Sequence, residues 1–130
     1  MILGIGTDII KTARFERATE SFMARVFTQD ERAYILKKGH VTAAGIFAAK
    51  EAVAKALGTG FRDFWTSHIE ITHDSMGKPG VVLHGNARVF ARKLAGRGRR
   101  SGYVVSVSIS HTDTDAVAFA VITAKYSRRY

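Results

Sequence analysis

The chain has 130 residues, of which 46% are hydrophobic and 24% charged, with 12 glycines, one proline and no cysteine. That length is enough for one domain, residues 1–130, with a real core. The composition excludes a disordered, collagen-like or low-complexity chain, and the missing cysteines exclude disulfides, thiolate metal sites and a cysteine nucleophile. The formal net charge of +9 points to an anionic partner: nucleic acid, a membrane surface, a phosphorylated ligand or an acidic protein.

In chain order, residues 2–10 read as a strand in which Gly4 and Gly6 alternate with larger side chains. Glycine in a strand marks close approach of another backbone or a ligand. Thr12 is positioned to cap a short helix with Phe15, Ala18 and Phe22 on one side. Thr28-Gln29-Asp30-Glu31 is a capping box, which predicts a helix over 29–38 that Gly39 stops. Thr42 caps a third helix, rich in alanine, that ends at Gly58. Residues 69–72 and 81–84 predict two strands joined by the turn 74–80. Asn86 caps a helix over 87–95, with Gly96 behind it. Residues 103–110 and 116–124 predict the last two strands. In the first of these, Val105, Val107 and Ile109 face one way and Ser106, Ser108 and Ser110 the other. This order predicts an α+β fold, a mostly antiparallel sheet packed with helices.

The first ten residues are too short for a signal sequence, lack a basic start and contain Asp8. No apolar run reaches the roughly 18–20 residues of a membrane helix. A soluble cytoplasmic protein is expected. The charge excess is local. Residues 88–100 carry Arg88, Arg92, Lys93, Arg97, Arg99 and Arg100 with no acid, and the tail adds Lys125, Arg128 and Arg129. The remaining residues balance at 11 basic and 11 acidic.

Three positions stand out chemically. On a helical wheel of about 100° per residue, Lys50 falls inside the apolar arc of Ile46, Phe47, Val53, Ala54 and Leu57. A lysine there either snorkels or pairs with a buried anion. Glu51 lies at the edge of the arc with Lys55 as its i+4 neighbour. That spacing also suits an ordinary surface ion pair worth about 0.3–0.5 kcal/mol. Asp8 interrupts an apolar strand, so it must be paired, hydrogen-bonded or on a metal, unless it caps the element that follows. A strand Asp with a helix Glu makes an all-oxygen donor set of the kind Mg²⁺ takes together with waters and phosphate oxygens. His111 ends the strand 103–110 on its apolar face. There it either meets a phosphate or is a structural strand-end histidine. His68, His73 and His84 lack metal-ligand spacing, and the chain has no P-loop and no dinucleotide glycine pattern.

Together these pieces resemble the holo-[acyl-carrier-protein] synthases, the small 4′-phosphopantetheinyl transferases. The resemblance rests on Gly4-Ile5-Gly6-Thr7-Asp8-Ile9, on Phe47-Ala48-Ala49-Lys50-Glu51-Ala52 with Lys55-Ala56-Leu57-Gly58-Thr59-Gly60, on Gly77-Lys78-Pro79, and on Val107-Ser108-Ile109-Ser110-His111-Thr112. One departure is Ile46, where many members carry a basic residue. The resemblance implies Mg²⁺-dependent transfer of the phosphopantetheine arm of coenzyme A to a serine of apo acyl carrier protein. Adenosine 3′,5′-bisphosphate is released, in fatty acid or polyketide biosynthesis. It implies Asp8 and Glu51 as metal ligands and Lys55 as the group meeting the pyrophosphate. Asp8, Glu51, Lys55 and His111 then carry the chemistry. Lys50, Lys55, Gly58, Lys78, Pro79, Ser110, His111 and Thr112 become coenzyme A contacts. Charge neutralisation and positioning dominate phosphoryl transfer, which agrees with that set. The resemblance also implies a homotrimer with coenzyme A bound between subunits, and a first helix that meets the acidic carrier. Lys11, Arg14, Arg17 and Arg25 would serve there, with Phe15 or Phe22 as apolar anchors. A nucleic-acid-binding domain would explain the basic segment but not Asp8, Glu51 or Lys50. An inactive module of the same fold has no need of that set.

Overall fold

The computed structural model describes residues 1–58, 66–96 and 100–126. In chain order the elements are β1 (Ile2–Lys11), a 3₁₀ turn (Thr12–Phe15), α1 (Glu20–Val26), α2 (Gln29–Lys38) and α3 (His40–Ala56). A second 3₁₀ turn (Thr66–His68), β2 (Ile69–His73), β3 (Pro79–Leu83), α4 (Gly85–Ala95), β4 (Arg100–His111) and β5 (Asp115–Tyr126) follow. The fold is α+β, as expected. β1, β5 and β4 form one antiparallel sheet in that order, and β2 and β3 form a separate antiparallel pair.

α3 is the axis of the molecule, and the strand sequences explain how closely it seats. β5 turns Ala116, Ala118, Ala120 and Ile122 inward, all buried. β1 offers Gly4 and Gly6. A Cβ on Gly4 would lie 1.9 Å from the Ala56 carbonyl oxygen, and one on Gly6 would lie 2.0 Å from that of Ala52. The alternating glycines therefore mark close approach of the α3 backbone. At the other end of the helix, a Cβ on Gly45 would meet Ile109 Cγ2 of β4 at 2.9 Å. α3 thus crosses the inner face from β4 to β1, and small residues on both sides make the crossing possible.

The capping box of α2 is present. Thr28 Oγ1 accepts from the Glu31 backbone N–H at 3.2 Å, and Glu31 Oε1 accepts from the Thr28 N–H at 2.8 Å. Other helix starts differ from expectation. The first helix is two pieces, a 3₁₀ turn after β1 and then α1, which Thr19 rather than Thr12 caps. Thr12 is buried and donates to the Asp113 carbonyl at 2.6 Å, so its hydroxyl serves the β4–β5 turn. α3 begins at His40, two residues before Thr42, because Gly39, at φ 103°, reverses the chain in a single residue. α4 begins at Gly85, which places Asn86 inside the helix. Phe15 joins the pieces: its ring lies 6.1 Å from Phe22, 5.8 Å from Phe27 and 5.4 Å from Phe47.

Lys50 is fully buried and pairs with an anion rather than snorkelling. Its ammonium sits 2.7 Å from Glu31 Oε1, donates to the Thr66 carbonyl at 2.9 Å and also donates to the Ile69 carbonyl. Glu31 Oε2 accepts from the Ile71 N–H at 2.8 Å. Burial pushes the Lys50 ammonium below its ordinary value and the Glu31 carboxyl above its own, and their mutual attraction opposes both shifts. The expectation that Lys50 contacts coenzyme A is therefore not met. An ammonium has three N–H donors, and all three are spent inside, joining α2, α3 and the segment that leads into β2.

Candidate active site

Asp8, Glu51 and Lys55 come together where α3 meets β1. Asp8 follows Gly4 and Gly6 on the inward face of β1, where the close seating of the helix brings its carboxylate to α3. Lys55 Nζ lies 3.3 Å from Asp8 Oδ1 and donates to the Thr7 carbonyl at 3.0 Å. The lysine read from spacing as a partner of Glu51 thus bonds to the strand. Glu51 is half-buried on the same side of α3. Its pKa is raised from the ordinary 4.5, first by burial and then by the negative charge of Asp8, while Lys55 and Arg14 pull it back.

Arg14 was expected on the carrier surface. Its guanidinium carbon lies 4.9 Å from the centre of the Phe47 ring, and its charge reaches Glu51. Its place three residues beyond a strand that ends beside Asp8 was the one signal in the sequence for this. Lys11 is tied to Asp115 at 3.1 Å, Arg25 lies over the Phe22 ring at 5.9 Å and Arg17 is exposed. Phe22 is half-buried against Phe15, and Phe15 is a core residue. Of the two proposed anchors, only Phe22 retains surface.

A second group lies across the sheet, past β5, at the end of β4. His111, Pro79, Ile46, Thr42, Tyr34 and His73 line a cleft of about 180 Å³. The Tyr34 and His73 rings stack with centres 4.0 Å apart and planes 7° from parallel. His73, read from sequence as structural, therefore forms part of the cleft wall, and burial lowers its pKa. Ile46, the departure from the family pattern, lies in the same wall. Lys78 and Pro79 are held beside the cleft by Asp74, whose Oδ1 accepts from the Met76 N–H at 2.9 Å and the Lys78 N–H at 2.8 Å. Gly77 takes φ 84° in that turn. Ser110 points to the opposite face of the sheet from His111, as strand alternation requires. Thr112 Oγ1 accepts from the Asp115 N–H at 3.1 Å and shapes the β4–β5 turn. Gly58 takes φ 93° at the end of α3, and no described atom lies within 4 Å of where its Cβ would be. The glycine there meets a need of backbone conformation and leaves that space open.

Asp8 and Glu51 fit a hard divalent cation. They are two carboxylates on different elements, the charge of Asp8 adds to burial in raising the Glu51 pKa, and positive charge between them would relieve that repulsion. Among the described residues no group of three or more His, Cys, Asp or Glu side chains gathers. A cation here would complete its shell with water and substrate oxygens, the habit of Mg²⁺.

The profile of the 4′-phosphopantetheinyl transferase superfamily matches residues 4–108. A holo-[acyl-carrier-protein] synthase of Clostridium perfringens is 41% identical over 131 residues, covering 97% of each chain. The crystal structure of such a synthase from Neisseria meningitidis superposes with a TM-score of 0.77 at 35% identity, covering 95% of this chain and 99% of that one. One from Bacillus anthracis, in complex with CoA (3′,5′-ADP), superposes at 0.74 and 35% identity, covering 94% and 96%. The fold is that of a phosphopantetheine-transferring enzyme. The chain belongs to the holo-[acyl-carrier-protein] synthase family of 4′-phosphopantetheinyl transferases.

Proposed function

We propose that the protein transfers the 4′-phosphopantetheine arm of coenzyme A to a serine of apo acyl carrier protein, in the cytoplasm and in the service of fatty acid or polyketide synthesis. The observation that carries this reading is the meeting of Asp8, Glu51 and Lys55. Asp8 and Glu51 hold Mg²⁺, which when bound supplies charge neutralisation to the pyrophosphate. Lys55, fixed by Asp8 and the Thr7 carbonyl, presents its ammonium to the bond that breaks and stabilises the leaving bisphosphate. Glu51, with its raised pKa, accepts the serine proton directly or through water. His111, Lys78, Pro79, Ser110 and Thr112 contact coenzyme A. Lys11, Arg14, Arg17 and Arg25, with Phe22, meet the acidic carrier.

The working unit on this reading is a homotrimer. The outer face of the β1–β5–β4 sheet is open and carries large apolar side chains on β1 and β5: Ile9 is 68% exposed, Ile5 60% and Phe119 46%. A contiguous face of this kind calls for a partner. In one chain, α3 and β5 stand between the Asp8 group and the His111 group. A cleft of about 180 Å³ is smaller than the roughly 300–1,000 Å³ of typical small-molecule sites, so a neighbour completing the site fits both facts.

The test is to mix the protein with coenzyme A, Mg²⁺ and apo carrier protein and weigh the carrier. A mass increase of one phosphopantetheine group is expected, lost when Mg²⁺ is chelated. An unchanged carrier mass would overturn the reading.

A further inference from the structure

The two basic segments that hold the whole charge excess lie far apart in sequence, yet they meet. Arg88 and Arg92 of α4 and Lys125 of β5 line one cleft of about 540 Å³ together with Gly96, Gly102 and Tyr103. Lys125 is paired across the sheet with Gly102 of β4. Roughly 30 Å, most of the length of β5, separates this cleft from the His111 end of the sheet. It is therefore distinct from the site described above.

Helix electrostatics account for only part of this charge. Arg92 and Lys93 sit in the last turn of α4, where cations complement the helix dipole. Arg88 sits in the first turn, where a cation is unfavourable. It shares a face with Arg92, one turn away. No carboxylate occurs among the described lining residues. Two guanidinium forks from adjacent turns suit the bidentate geometry of phosphate oxygens. Half-buried Tyr103 adds an aromatic wall. The volume falls within the roughly 300–1,000 Å³ of small-molecule sites.

We propose that this cleft is a second anion site, binding the phosphate or diphosphate group of a phosphorylated small molecule through Arg88, Arg92 and Lys125. The test uses inorganic pyrophosphate as probe and the nitrogen-15 spectrum of the full chain. Saturable shifts are expected at the Gly96, Gly102 and Tyr103 amides, separable by affinity from those at Gly77 and Thr112. Arg88→Gln with Arg92→Gln is expected to weaken binding at the first set at least tenfold. Arg92→Lys, which keeps the charge and the fold but loses the fork, is expected to weaken it less. Transfer of phosphopantetheine should stay within twofold in both. Unmoved Gly96, Gly102 and Tyr103 amides, or shifts that persist in the double variant, would overturn the proposal. So would movement of these amides by carrier protein alone, which would make the cleft part of a protein surface.

Discussion

Lys55 Nζ lies 3.3 Å from Asp8 Oδ1, across 47 positions of sequence. The bond ties the last turn of α3 to β1 and aims an ammonium at the carboxylate pair. The Lys55 side chain is 53% exposed, so solvent screens the pair and its contribution to stability is small, at most about 1 kcal/mol. In the transition state the same charge acts on developing phosphate charge, where one donor is commonly worth about 10²–10³ in rate. Lys55→Ala is therefore expected to lower kcat by at least about a hundredfold and to leave the melting temperature nearly unchanged. Steady-state kinetics and a thermal melt on one preparation check both. A large fall in melting temperature with kcat retained would make Lys55 structural.

Glu51 gives a pH dependence whose sign is determined by its environment. Its carboxyl titrates above 4.5 in the folded protein because burial and Asp8 disfavour the charge. The folded state then holds its proton longer than the unfolded state, so this group's contribution to stability falls as pH rises from about 4.5 through the raised value. Glu51→Gln removes the effect. The stability of wild type minus that of Glu51→Gln, measured without divalent cation, should decrease with pH across that window. Mg²⁺ should reverse the trend in wild type only. Turnover should be lost in Glu51→Gln. If the variant kept both Mg²⁺ affinity and turnover, Glu51 would not be a ligand or a proton acceptor.

The Lys50–Glu31 pair predicts an asymmetry between single and double variants. Lys50→Met leaves a buried carboxylate without its counter-ion, a change that costs about 3–5 kcal/mol. Lys50→Met with Glu31→Gln removes both charges, and its loss should be distinctly smaller. Urea unfolding of the two variants measures the difference. Equal losses would show that the charge pair itself carries the stability.

The outer sheet face predicts the oligomeric state. Phe119→Asp puts a charge on an exposed position that the core does not use, so the subunit should fold. Light scattering should show the trimer mass in wild type and the monomer mass in the variant. Transfer activity should fall by at least about tenfold, since each site draws on two chains. A wild type that is monomeric and fully active would overturn the trimer.

Much of the local structure was legible in the sequence because its causes are local. The Thr28–Glu31 capping box acts over one helical turn, and the alternation of Val105, Val107 and Ile109 with serines acts over two residues. The first helix was misread for the same reason. Thr12 has the right chemistry for a cap, but a distant carbonyl, that of Asp113, takes its hydroxyl. Arg14 accordingly sits in a 3₁₀ turn rather than a continuous helix, over the Phe47 ring and with its charge reaching Glu51.

The sequence by itself determined the set of groups: a strand carboxylate, a helix carboxylate, two lysines on one helix and a histidine at a strand end. The tertiary structure decided which lysine does what. Lys50 and Lys55 lie five positions apart on α3, and their wheel positions identify only the apolar arc. Lys50 faces α2 and the segment leading into β2, where Glu31 and two carbonyls consume its donors. Lys55 faces β1, which Gly4 and Gly6 let come close enough to deliver Asp8. Such an assignment depends on how a helix crosses a sheet, and that crossing is a balance of packing over the whole core rather than a property of any one segment.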